Sequence, residues 1–155
     1  MFTKQTFRQA MGQFATGITV ITAQNNELEV KGVTVNAFMS LSLDPSLIAI
    51  SLRNEASIID TLTQAKSFGI SILSDEQLEY SMIFANQKKT EELVSFEYKQ
   101  SVPVLPEALV QMICEKESEV KAGDHTIFIA AVKDLQLNEG KPLLYHGGQY
   151  KQLAE

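Results

Sequence analysis

The stretch GVTVNAFMSLSLDPSLIAISL, residues 32–52, has the apolar density of a core strand, yet short polar groups recur through it at Thr34, Asn36, Ser40, Ser42 and Ser51. Its last part, Ser46 to Arg53, is a nearly continuous apolar run bounded by Asp44-Pro45 and Asn54, the pattern of a strand buried on both faces. A chain that is only burying itself has little use for so many hydroxyls and amides, so something polar is expected to lie against them. Upstream, ITVITAQ and LEVKGVTV are rich in β-branched residues and flank the turn signal Asn25-Asn26, which predicts a hairpin. Downstream, FGISILS, LVQMICEKESEV, HTIFIAAVKDLQL and, after the turn NEGKP, LLYHGGQY also read as strands.

Three short helices punctuate these strands. Phe7, Met11 and Phe14 fall at i, i+4 and i+7, one face of an N-terminal helix, with Gly17 as its stop. Ile58, Ile59, Leu62 and Ala65 share a face of a helix over 57–65. Ser74-Asp-Glu-Gln77 is a capping-box pattern that starts a third helix near Asp75, carrying Leu78, Met82 and Ala85 on one side. Residues 86–100 are polar and are followed by Pro103 and Pro106, so the segment reads as a surface excursion. Neither internal repeats nor low-complexity tracts occur. The order of elements predicts a mainly β protein, an antiparallel sheet closed into a barrel with short helices outside it.

A chain of 155 residues, 45% of them hydrophobic, suits one core, and one domain over 1–155 is expected. The formal net charge is −6, the wrong sign for a phosphate-backbone partner, which argues against nucleic acid. Cys114 is the single cysteine and fits a reducing compartment. The N-terminal MFTKQTFRQAMGQF is too polar for a signal peptide, and no apolar run approaches the roughly 20 residues that cross a bilayer. A cytoplasmic protein without membrane contact is the expectation.

Side-chain catalysis finds little support. There is no G-x-G-x-x-G after a strand, no G-x-x-x-x-G-K-[ST] and no G-x-S-x-G, and the histidines are His125 and His146. Cys114 sits in an alternating apolar strand, where a thiol is buried and inert. Two histidines and one cysteine at wide spacing make no paired metal motif, so no metal is expected. If the chain is an enzyme, a bound organic cofactor carries the chemistry.

Flavin hydride chemistry asks for polar edges more than for acid–base residues. The pyrimidine end of the ring needs backbone donors and acceptors from extended chain, while the ribityl and phosphate need short hydroxyls and amides at a loop or helix start. TVNAFMSLS offers both, and SLRNEAS adds Arg53, Asn54 and Ser57 where the Ile58 helix begins. Taken singly, each residue has a plainer reading, since serines and threonines decorate strand faces and cap helices and a lone arginine is most often a surface charge. The cluster is what points to a ligand.

FRQAMGQFATGITVITA, GVTVNAFMSLSLDPSLIAISL, FGISILS, AGDHTIFIAAV and PLLYHGGQY occur in the order and at about the spacing of the flavin reductase-like family, the short NAD(P)H:flavin oxidoreductases, and the chain resembles that family over nearly its whole length. The resemblance implies an FMN-binding split β-barrel with Greek-key character, assembled as a homodimer with flavin at the subunit interface. It implies FMN, with FAD as the alternative, reduced by NADH or NADPH, often to supply a flavin-dependent monooxygenase. Carried over by position, Thr34, Val35, Asn36 and Ala37 lie along the flavin ring, and Ser40 and Ser42 meet the ribityl and phosphate. Ser51, Leu52, Arg53 and Asn54 end the next strand beside the flavin, and Ser57 is a second phosphate ligand. Phe84 and Ala85 supply a third contact, and His125 and Tyr150 stand beside the nicotinamide or the flavin face as the catalytic pair. A flavin-binding electron carrier of the same fold and a haem-binding relative are the competing expectations.

Overall fold

The computed structural model of the protein describes residues 1–88 and 94–154. Helix α1 (Lys4–Gly12) leads into β1 (Thr16–Gly17), β2 (Thr19–Gln24), β3 (Val30–Val35), β4 (Phe38–Ser42) and β5 (Leu47–Arg53). Then come α2 (Ile59–Gln64), β6 (Ser67–Ile72), α3 (Leu78–Phe84), the short pair β7 (Glu97–Lys99) and β8 (Val102–Val104), the long pair β9 (Val110–Ala122) and β10 (His125–Leu137), and finally β11 (Leu143–His146) and β12 (Gln149–Gln152).

Seven strands form one antiparallel sheet in the order β3-β2-β6-β9-β10-β5-β4. Its two edges, β3 and β4, are consecutive in the chain and are joined by Asn36 and Ala37 alone. Two linking residues span less than about 10 Å even when extended, so the sheet must curl until its edges meet. At that seam Ser51 N–H donates to the Ala37 carbonyl at 3.0 Å, and β3 approaches β5. The seam is closed by chain connection, because no ladder joins β3 to β4. The stretch that opens the sequence reading is therefore not one strand but the end of β3, the link, β4 and β5.

Inside the curl lies the main core: Ile21, Val35, Ile48, Ile50, Leu52, Phe68, Ile70, Met112, Cys114 and Phe128, closed at one end by Ile58 and Leu62 around α2. Strand β2 is buried on both sides. Ile21 and Ala23 face this core, while Val20 joins a second cluster with Ile18, Leu73, Leu105 and Leu143, packed by α3 residues Tyr80 and Phe84 and by Tyr145 and Tyr150. Helix α3 can come this close to β3 because Gly32 has no side chain. A Cβ there would lie 2.6 Å from Cδ1 and 2.7 Å from Cε1 of the Phe84 ring.

Several expectations need correction. Helix α1 stops at Gly12, and Gly17 lies instead in β1, opposite Leu144 of a small sheet ordered β1-β11-β12. LLYHGGQY is two strands, because Gly147 and Gly148 both take positive φ (+60° and +77°) and turn the chain back. The capping box acts half as expected. Gln77 Oε1 accepts the Ser74 N–H at 3.0 Å, but the first helical residue is Leu78, not a position near Asp75. The polar excursion holds the β7–β8 hairpin, whose Pro103 carbonyl accepts the Thr22 hydroxyl at 2.5 Å. Part of it, residues 89–93, lies outside the described residues. Among the described residues no helix is long and apolar enough to cross a membrane.

Candidate active site

A groove of about 600 Å³ opens at the seam, within the size range of cofactor sites. Four segments build it. From β3 and the link come Val33, Thr34, Val35, Asn36 and Ala37; from β5 and the turn after it come Ser51, Leu52, Arg53, Glu55, Ala56 and Ser57; His125 enters from the start of β10, and Asn86 from just after α3. The sheet register explains the meeting, since His125 pairs with Arg53 and Thr126 with Leu52 across β10 and β5.

The turn that delivers His125 is fixed from several sides. Gly123, with φ of +63°, is the first loop residue between Ala122 and His125, the position where a type II′ turn favours glycine. Asn54 holds this turn to β5. Its N–H donates to the Asp124 carbonyl at 3.0 Å, its side-chain amide donates to the Gly123 carbonyl at 3.3 Å, and its Oδ1 accepts the Thr126 hydroxyl at 2.6 Å. Asp124 Oδ1 lies 2.7 Å from His125 Nδ1, and the imidazole beside it lowers the Asp124 carboxyl pKa. With Asp124 ionised, Nδ1 carries the shared proton, and Nε2 is left for a ligand. Arg53, largely exposed at the groove rim, is ion-paired with Glu55.

Of the residues singled out from the sequence, Thr34, Val35, Asn36, Ala37, Ser51, Leu52, Arg53, Ser57 and His125 meet in this groove. Asn54 does not line it and serves the His125 turn. Ser40 and Ser42 lie further along β4, opposite Ile48 and Leu47 at a bulge. Phe84 packs under Gly32, and Ala85 caps α3. Tyr150 sits on β12 with its hydroxyl on Ser81 Oγ (2.9 Å) and Gln87 Oε1 (3.2 Å), outside the groove lining. Thr34 turns its hydroxyl to the Ser81 carbonyl at 2.7 Å, so it offers the groove backbone and methyl group. Asn86 was missed by the sequence reading. The signal was an asparagine just past a helix end, where a left-handed residue is common, and Asn86 has φ of +58°.

The lining suits a phosphorylated heteroaromatic ring: half-buried Val33 and Ala56 beside an edge strand for the ring, and Arg53 with Ser57 for an anion, while Val35 and Leu52 border the groove with their side chains turned into the core. A larger groove of about 1200 Å³ is lined by Asp75, Glu76, Glu79, Glu97, Glu107 and Glu139 together with Lys141, an acidic excess that is the wrong charge for a phosphate. Cys114 is fully buried and its thiol is pushed up to about 12 by desolvation, so it is no nucleophile. Among the described residues no group of three histidine, cysteine, aspartate or glutamate side chains is placed to hold a metal ion.

Residues 11–154 match the flavin reductase like domain family, and the chain belongs to it. It is 36% identical over 148 residues to an NADH-dependent flavin reductase from Rhodococcus sp., covering 94% of this chain and 84% of that protein. Among solved structures it is similar to flavin reductase PheA2 in its native state, with 44% identity, a TM-score of 0.96, and coverage of 99% of this chain and 100% of that one. It is also similar to the styrene monooxygenase flavin reductase SMOB from Pseudomonas putida S12, with 38% identity, a TM-score of 0.90, and coverage of 96% and 97%.

Proposed function

We propose that the protein is an NADH:flavin oxidoreductase that holds FMN in the seam groove and passes reduced flavin to a flavin-dependent monooxygenase. The observation that carries this reading is the convergence of TVNA, SLRNEAS and GDH segments, distant in sequence, on one groove whose rim carries Arg53 and Ser57. In this reading the curled sheet is the family's split barrel. Bound flavin supplies the hydride-accepting ring.

The chain's own residues bind and orient. Asn36, Ala37 and Ser51 present backbone and short polar groups along the ring edge, and Val33 and Ala56 pack beside it. Arg53 and Ser57 take the phosphate. His125, locked by Asp124 on one nitrogen, uses Nε2 to fix the nicotinamide end of NADH, so that rate comes from positioning. NADH is favoured over NADPH by the Rhodococcus relative. The protein forms a homodimer in this proposal. Phe7 and Met11 on α1, Phe14 just after it, and Met39, Leu41 and Leu43 on and beside edge strand β4 are exposed large apolar side chains, more than a soluble monomer usually displays together. A cytoplasmic location fits the free, buried Cys114.

Purified protein loaded with FMN and mixed anaerobically with NADH tests the reading. Bleaching of the flavin band is expected. A yellow protein that NADH leaves unbleached would make it an electron carrier instead, and failure to bind flavin would remove both. Sedimentation with flavin bound should give twice the chain mass of 17.2 kDa; a single-chain mass at micromolar concentration would refute the dimer.

A further inference from the structure

We infer that Tyr150 is a positioning residue, which clamps the chain on leaving α3 and thereby sets Asn86 and Thr34 against the groove; this rests on the groove being the flavin site. Tyr150 donates its single hydroxyl proton to Gln87 Oε1 at 3.2 Å, so in the 2.9 Å contact with Ser81 it accepts the serine's proton. Its hydroxyl is thus tied to both sides of the turn, to residue 81 within the helix and to residue 87 beyond it.

Between those two anchors the chain leaves the helix through a left-handed residue. Ala85 N–H still bonds the Ser81 carbonyl at 3.1 Å, Asn86 is left-handed, and Gln87 N–H returns to the Met82 carbonyl at 2.8 Å. Asparagine tolerates this conformation, and the two helix-end bonds set its backbone; the phenol ties that turn to β12. Ser81 is fully buried, and its carbonyl also takes the Thr34 hydroxyl at 2.7 Å. One phenol therefore governs two groove walls, Asn86 through the turn and Thr34 through Ser81. Tyr150 is itself held firmly: it pairs with Tyr145 across β11 and β12, with the rings edge to face at 5.4 Å.

The test is a cycle of Tyr150→Phe, Asn86→Ala and the double variant, read as FMN dissociation constants by fluorescence quenching, with hydrogen exchange at the amides of Ala85 and Gln87. Tyr150→Phe should weaken FMN binding about fivefold to twentyfold, as loss of a partly buried hydrogen-bond pair does. In the Asn86→Ala background the same change should add less than about twofold, since coupled residues do not act additively. Exchange at Ala85 and Gln87 should speed about tenfold in Tyr150→Phe, while Leu62 in α2 stays as it was. Gln87→Met, which removes the acceptor and leaves the core intact, should reproduce the exchange effect. Equal weakening in both backgrounds, or unchanged exchange, would overturn the clamp. Wild-type protein that fails to bind FMN would instead sink the flavin reading, and the exchange data would then judge the clamp alone.

Discussion

Replacing Gly32 with alanine tests the joint between fold and site. The added carbon would lie 2.6 and 2.7 Å from two atoms of the Phe84 ring, about 1 Å inside the favourable carbon–carbon separation of roughly 3.5–4.0 Å. The ring is half-buried in the second cluster and has Phe96 beyond it at 6.2 Å, so it must turn against neighbours or push α3 off β3. Overpacking of this kind costs about 1–3 kcal/mol, offset by about 0.5–1 kcal/mol because alanine suits a strand interior better than glycine. The net loss centres on about 1 kcal/mol and reaches about 2.5 kcal/mol if the ring cannot turn, which for a domain of this size lowers Tm by about 2–10 °C. Urea unfolding at constant m measures it directly. Combining Gly32→Ala with Phe84→Leu should restore part of the loss, making the double variant more stable than the sum of the singles. A Gly32→Ala protein as stable as the parent would show that Phe84 does not need the space glycine leaves, and the account of α3 docking would fail.

Replacing His125 with alanine should raise the KM for NADH or slow flavin reduction while leaving flavin affinity and Tm nearly unchanged; stopped-flow reduction beside a thermal melt decides, and an unaltered reductive rate removes His125 from the site. Ser57→Ala should weaken FMN binding by about 1–2 kcal/mol and leave riboflavin, which lacks the phosphate, unaffected; equal losses for both ligands would place the phosphate elsewhere. Because His125 lowers the Asp124 pKa, the charged contact should persist below the ordinary carboxylate range and be lost as pH falls through the lowered value. A carboxyl carbon NMR titration should show that inflection moving up in His125→Ala, and no movement would break the pair. With its thiol near 12, Cys114 is thiolate to only about one part in 10⁴ at pH 8. Alkylation should therefore wait on unfolding, and a fast native-state reaction would contradict its burial.

What the sequence shows and what it hides divides along physical lines. Strand β10 runs from His125 to Leu137 as its text suggests, because Gly123-Asp124 and NEGKP punctuate both ends. The break at Asn36-Ala37 was hidden, since neither glycine nor proline marks it and only the curling of the whole sheet demands it. The β7–β8 hairpin was hidden for a related reason: its turn uses left-handed Gln100 and Ser101 (φ +51° and +66°) in place of glycine, and tertiary contacts at Thr22 hold Pro103 in a strand. In the site, residue identity outran residue role. Thr34 and Asn54 are polar where the ligand is expected, but their partners Ser81 and Thr126 are 47 and 72 residues away, and no local pattern announces such bonds.

The two-residue link between β3 and β4 has a further meaning for how this fold tolerates change. Lengthening a loop costs little chain entropy, about 0.6 kcal/mol for each doubling, and neither edge strand depends on the other for its ladder. Residues inserted between Asn36 and Ala37 would leave the seven strands paired as before while the two lips of the groove drift apart. Folding and ligand binding can thus be varied separately at this one peptide junction, which makes it a natural place for related chains to diverge in what they hold without risking the scaffold that holds it.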